Sequence, residues 1–307
     1  MAADATDGPA ADGAPVDAAP AGGAPPDGPT KQAPEGPAPV AADDGIERLR
    51  RWRDEDRGVP PAVGRVGARL VSVGRCTTTV RLPLVPELLL PDGVPTGAVT
   101  SLLADMGLTT SVISSLPDLR GVTTISMTVD HHALPPASGG LVATCTAAGH
   151  VEGRPQHASG LLHDDEGRLV ATVCGWFLAT PAEALAADRV GLVLEEPAAH
   201  LLDLLQVPGG TSFPLVARDA LSNAISSLHG GIGALAAQLA AEAALDPASL
   251  PLTSAFFYLR PTPRHGAVQV TGEVVRQGRR TAVATSVLTG PDGRPLVTST
   301  LVAALRA

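Results

Sequence analysis

The feature that most constrains this chain is an internal repeat. EGRPQHASGLLHDDEGRLVATV in the first half runs parallel to QGRRTAVATSVLTGPDGRPLVTST in the second. Gly153-Arg154 thereby matches Gly278-Arg279, and Gly167-Arg168 matches Gly293-Arg294. A repeat this long in a chain of 307 residues points to two homologous domains rather than a solenoid of short units.

The order of elements repeats as well. After Gly67 come two β-like runs, ARLVSV and TTTVRLP, a Pro/Gly loop and an apolar segment, Val99 to Leu116, that reads as a buried helix. Strands separated by Gly, Pro and Asp turns follow: TTISMTVD, LVATCTAAGHVEG, RPQHASGLLHD and GRLVATVCGWFLA. The second half gives SFPLVARDALSNA, an apolar helix from about Gly231 to Leu245, then LTSAFFYLRP, VQVTGEVVR, RTAVATSVL and RPLVTSTLVAAL. Each half is expected to be an α+β unit in which one antiparallel sheet wraps around one apolar helix, so that both buried faces are satisfied.

The flanking segments differ in character. Residues 1–44 are rich in Pro, Ala, Gly and Asp and have almost no large apolar side chains. Their ordering entropy is not offset by burial, and a disordered tail is expected. Residues 45–64 lead in with IERLRRWRDEDR, where Ile46, Leu49 and Trp52 share one helical face. The domains are expected at 65–180 and 211–307. A connector over 181–210 has helix-like stretches, PAEALAA and AAHLLDLL, broken by Pro and Gly.

Composition excludes several functions. A formal charge of −9 offers no basic field for nucleic acid or an anionic membrane. No apolar run is long enough to span a bilayer, and the first residues lack a basic stretch followed by an apolar one. Cys76, Cys145 and Cys174 lie far apart and read as reduced core residues of a cytoplasmic protein. His131 and His132 would point to opposite faces of a strand, with no ligand set of metal spacing around them, so no metal is expected. Walker, dinucleotide and nucleophile-elbow motifs are absent.

The most informative string is NAISSLHGG, Asn223 to Gly231, leading directly into the second apolar helix. Amides near Gly230 at a helix N-terminus can polarise a carbonyl and stabilise an oxyanion. Glycine lets a ligand approach the backbone. The Asn223 amide can donate to a ligand or brace the loop, and His229 reads as a supporting hydrogen-bonder rather than the general base. Asn, five residues, then His-Gly-Gly at the start of the long helix resembles hotdog thioesterases of the phenylacetate-pathway and mammalian acyl-CoA thioesterase type. The resemblance spans roughly residues 65 to 307.

That resemblance implies two tandem hotdog domains forming a pseudodimer within one chain, itself able to pair again as a homodimer. It implies hydrolysis of an acyl-CoA thioester, with coenzyme A present only as part of the substrate and no cofactor. It also implies a carboxylate nine residues after the His, and a Ser or Thr on the next strand to hold the attacking water.

Neither half supplies the whole set. Nine residues after His229 stands Gln238; Glu242, a turn later, reads more readily as a solvent-facing or capping residue. In the first half Leu90, Thr96 and Gly97-Ala98 replace Asn, His and Gly-Gly, while Asp105 falls at the acid position inside an apolar helix. A carboxylate there is costly unless it is paired or functional. The alternation of Ile125, Met127 and Val129 selects Thr124 as the hydroxyl; simple counting from Asp105 selects Thr123. One composite site is expected, with Asn223, His229 and Gly230 facing Asp105 and Thr124, and with Thr123 and Gly231 beside them. Its twin would hold Leu90, Thr96, Gly97 and Gln238 and no acid. Asp105 would act as general base on water or attack directly. Arg154, Arg276, Arg279 and Arg280 near the strand turns are candidates for the anionic end of coenzyme A. The rival reading is a non-catalytic module that binds acyl-CoA or an acyl carrier.

Overall fold

The computed structural model describes residues 44–181 and 195–305. The tail expected over 1–44 lies outside the described residues except for Asp44, and so does the PAEALAA stretch of the connector after Pro181. Asp44 belongs to the folded part: its carboxylate caps helix α1 (Gly45–Glu55) by accepting from Glu47 N at 2.9 Å. Ile46, Leu49 and Trp52 are buried on one face of α1, as their spacing requires. A second short helix, α2 (Pro61–Arg65), hydrogen-bonds across to the second half, Ala62 N to Ser222 O at 3.1 Å.

Eleven strands form one sheet in the order β1-β2-β4-β5-β6-β3-β8-β11-β10-β9-β7. The first half contributes β1 (Arg69–Gly74), β2 (Thr77–Leu84), β3 (Gly121–His131), β4 (Gly139–Ala147), β5 (Gln156–Asp164) and β6 (Leu169–Thr180). The second half contributes β7 (Ser212–Ala217), β8 (Leu250–Tyr258), β9 (Gly266–Gln277), β10 (Thr281–Thr289) and β11 (Pro295–Ala304). Element for element β7 to β11 repeat β2 to β6, and the two halves join where β3 pairs with β8 antiparallel, Thr128 opposite Ala255. The repeated GR turns carry the same bonds in both halves. Asp164 N donates to Arg168 O at 3.0 Å, and Gly290 N to Arg294 O at 2.9 Å; Gly167 and Gly293 both take positive φ.

Each half wraps its sheet around one long helix, α3 (Gly97–Ile113) or α5 (Gly230–Ala243). Both start earlier than the apolar pattern alone suggests, because their first residues are glycines after a capping side chain. Thr96 caps α3 by accepting from Ala98 N at 3.1 Å, and His229 caps α5 by accepting from Gly231 N at 3.1 Å. These matching caps fix the register between the repeats. Almost every α3 residue is buried, since the helix has sheet on one side and α5 on the other. The helices approach closely: a Cβ at Gly231 would lie 2.9 Å from Leu102 O. In the connector a short helix, α4 (Leu201–Leu205), buries Leu201, Leu204 and Leu205.

Cys145 is fully buried between Gly107 of α3 and Gly160 of β5, and burial pushes its thiol up to about 12. All three cysteines are unpaired. His131 and His132 do separate, His131 Nε2 to Ser254 Oγ at 3.0 Å inside and His132 Nε2 to Thr172 Oγ1 at 2.9 Å outside. Among the described residues no cluster could hold a metal ion, and no helix is long and apolar enough to cross a membrane.

Candidate active site

The start of α5 meets the middle of α3. Gly230, at the first position of α5, lies so close to Asp105 that a Cβ built on it would sit 3.1 Å from both carboxylate oxygens. Glycine suits the position because a side chain would press the carboxylate out of place by a few tenths of an ångström. Asp105 is 2% exposed, and Thr124 on β3 donates to its Oδ1 at 2.7 Å. A site is thus assembled from both halves: Asp105 and Thr124 from the first, His229 and Gly230 from the second.

His229 Nδ1 lies 3.4 Å from Asp105 Oδ2 and 3.1 Å from Gly231 N. The same nitrogen cannot accept from the amide and donate to the carboxylate. Burial pushes the imidazole below its ordinary range, more than the Asp105 charge pulls it up, so the ring is neutral with its proton on Nε2. Nδ1 therefore serves as the helix cap, and its contact with Asp105 is proximity rather than an ion pair. The His229 carbonyl takes the Ile232 and Gly233 amides at 3.0 and 3.1 Å. Of the first amides of α5, that of Gly230 is the one not used in capping, and it faces the positive end of the helix dipole.

Asn223 braces the loop before the helix. Its Oδ1 accepts from the Ile225 and Ser227 amides, each at 3.0 Å, and its Nδ2 donates to Ser227 Oγ at 2.7 Å. Thr123 donates instead to Leu178 O at 3.3 Å, so the hydroxyl at the carboxylate is Thr124. A bulge between Thr124 and Ser126 breaks the alternation, leaving Ile125 exposed while Met127 and Val129 are buried.

A cleft of roughly 200 Å³ opens over these groups. Asp105, Thr123, Thr124, Asn223, His229 and Gly230 all line it, together with Tyr258 and Arg260. Gly231 sits behind it, its N–H taken by His229. Arg154, Arg276, Arg279 and Arg280 are exposed and do not line the cleft. Arg154, Arg279 and Arg280 stand in hairpin turns and Arg276 near the end of β9, whereas the cleft opens at the start of α5. The cation in its wall is Arg260, held by Pro295 O at 2.7 Å and Asp292 Oδ2 at 3.2 Å.

Tyr258 was not singled out by sequence. Its hydroxyl donates to Gly230 O at 3.2 Å, and burial, reinforced by the Asp105 charge, raises it well above the usual phenol range, so it stays a donor. The signal available was its rarity, as the one tyrosine in a chain with 2% aromatics.

The twin position is different. At the start of α3 a Cβ on Gly97 would meet Gln238 Nε2 at 2.8 Å, Pro251 at 2.9 Å and Glu242 Oε1 at 3.0 Å. Gln238 accepts from Ser101 Oγ at 2.5 Å and donates to Glu242 Oε1 at 2.8 Å, while Thr96 Oγ1 donates to Glu242 Oε2. The solvent-facing reading of Glu242 is therefore corrected. It turns inward to the Thr96 cap, and burial raises its carboxyl above the usual range despite these two bonds.

Residues 219–304 match the family model described as acyl-CoA thioesterase N-terminal domain, which takes in the second half after its first strand. No curated protein sequence matches the chain. Three solved structures share its fold at low identity. A Lactobacillus plantarum protein described as an oleoyl thioesterase has 9% identity and a TM-score of 0.54, covering 77% of this chain and 99% of its own. A thioesterase II described from Thermobifida fusca has 15% identity and a TM-score of 0.54, covering 81% and 100%. The 12:0-ACP thioesterase of Umbellularia californica has 10% identity and a TM-score of 0.50, covering 73% and 93%. With each half of one antiparallel sheet wrapped around its own long helix, this chain is a tandem hotdog-fold protein whose second half matches the acyl-CoA thioesterase N-terminal domain.

Proposed function

We propose that the protein hydrolyses acyl thioesters of the acyl-CoA type at one site composed from its two halves. It would belong to the phenylacetate-pathway and mammalian acyl-CoA thioesterase group and act as a soluble, cytoplasmic enzyme. The observation that carries this reading is the contact of Asp105 with Gly230: a carboxylate from one half lies against the open helix start of the other.

The substrate carbonyl oxygen accepts from the Gly230 N–H, where the dipole of α5 favours the charge that develops on it. Thr124 orients Asp105 through Oδ1, which leaves Oδ2 for chemistry. Two routes start from that oxygen. It takes a proton from water, whose hydroxyl adds to the carbonyl carbon; the tetrahedral adduct then expels the thiolate, which receives the proton from Asp105. Alternatively it attacks the carbonyl carbon, releasing the thiolate and leaving an anhydride that water cleaves. Both give one carboxylic acid and one thiol per water consumed. Arg260 in the cleft wall offers a cation to the anionic end of coenzyme A.

The decisive measurement is thiol release from a panel of acyl-CoA thioesters by wild type and Asp105→Asn. The variant is expected to lose about 10²–10⁴-fold in kcat while retaining ligand affinity. Single turnover in ¹⁸O water identifies an anhydride cleaved at the Asp105 carbonyl, since only that course leaves label in Asp105. Binding without turnover in the wild type would replace this reading by that of a binding module.

A further inference from the structure

A second cavity beside the long helices is larger than the cleft over Asp105. It lies at the pseudo-symmetric position beside the start of α3, encloses roughly 400 Å³ and shares no lining residue with that cleft. Such a volume is in the range of small-molecule sites. Its walls are aliphatic and aromatic: Leu90, Leu202, Phe213, Leu239, Leu245 and Leu301.

The polar groups in it are few and uniform in character. Thr96, Glu242 and Ser249 are set among the apolar residues, with Asp92 and Asp246 also in the wall and no Lys, Arg or His among its lining residues. Ser249 has a buried hydroxyl with no hydrogen-bond partner among the described residues. A buried hydroxyl without a partner is unfavourable, and a ligand group that bonds it removes the penalty. Asp92 and Asp246 in the wall have no facing cation, which disfavours an anionic ligand. Thr96 and Gln238 occupy one lone pair on each Glu242 oxygen, and a further one remains to accept from an O–H or N–H.

This cavity is also unsuited to hydrolysis. The helix start that would polarise a carbonyl is covered, since Gln238, Pro251 and Glu242 pack directly against Gly97.

We propose that the protein has a second, non-hydrolytic site here for a linear aliphatic molecule with an uncharged, hydrogen-donating head group, a primary alcohol or primary amide. The chain lies among the leucines and Phe213, and the head group donates to Glu242 and accepts from the Ser249 hydroxyl. This site does not depend on thioester hydrolysis at Asp105.

The test is calorimetry on the full chain with 1-decanol, decanamide and decanoate. Decanol and decanamide are expected to bind saturably, one per chain, with the same affinity in wild type and Asp105→Asn. Decanoate is expected to be at least about tenfold weaker, because its charge meets Asp92 and Asp246 with no facing cation. Leu202→Trp, which fills the cavity, should reduce alcohol binding by about tenfold or more while leaving Tm near the wild-type value. Should that variant lose its fold, a decanol carrying an alkyl diazirine gives an independent readout by mass spectrometry of the irradiated wild type. Label on residues 90–96, 202 or 239–251 supports the proposal. Label on 122–125 or 223–230, unsaturable binding, decanoate affinity equal to that of decanol, or a folded Leu202→Trp protein with undiminished binding would each overturn it.

Discussion

Gly230 stands where a side chain would press directly on the carboxylate of the site. Adding a methyl group would place it 3.1 Å from both Asp105 oxygens, so either the carboxylate or the helix start must give. Gly230→Ala is expected to lower stability by about 1–3 kcal/mol and to depress kcat together with it, as urea titration and thiol-release assays would show; an unchanged kcat would mean that Asp105 need not sit where it does. At this scale the sequence was most legible for Asp105, because a lone acid in an apolar helix has few innocent explanations. It was less so for the hydroxyl. The bulge at Ile125 shifts the phase of β3, and no counting scheme on TTISMTVD can locate a bulge from composition. Tyr258 and Arg260 escaped because they belong to a strand end that comes near the cleft through β3–β8 pairing, a contact distant in sequence.

The two long helices have the same cap and the same length class, yet they treat their partners differently. The start of α5 meets a carboxylate in an open cleft, and the start of α3 meets Gln238, Glu242 and Pro251 in close packing. The alignment of Thr96 with His229 made the absence of an acid at 238 readable from spacing alone. The inward turn of Glu242 was not readable, since one turn further along a helix serves an exposed and a buried face equally well until the neighbour is known. Its raised carboxyl gives a signed expectation. Folding favours the protonated form, so the contribution of Glu242 to stability is full below the unfolded value near 4.5 and is lost as pH rises through the higher folded value. Glu242→Gln cannot ionise. Between pH 5 and pH 8 wild type should therefore lose stability relative to this variant in chemical denaturation; a constant difference would mean the carboxyl titrates as it does in water.

Taken as a molecule, the sheet is where the repeat in the sequence was most informative, and the expected element order survives in all five repeated strands. What the repeat could not give was the join, because nothing in either half alone marks β3 and β8 as the strands that pair. Expressed alone, residues 211–307 would bare the edge of β8 and the face of α5 that α3 covers, and would lack Asp105 and Thr124. That fragment is expected to aggregate or to be inactive, judged by light scattering and thiol release; a soluble, fully active fragment would refute a site shared between halves. The covalent link between halves has a further consequence. Two separate subunits would come apart on dilution and take their shared groups with them, whereas here each half meets the other at an effective concentration fixed by the chain. The thiol-release activity proposed above should accordingly stay constant per molecule as the protein is diluted, however scarce it becomes.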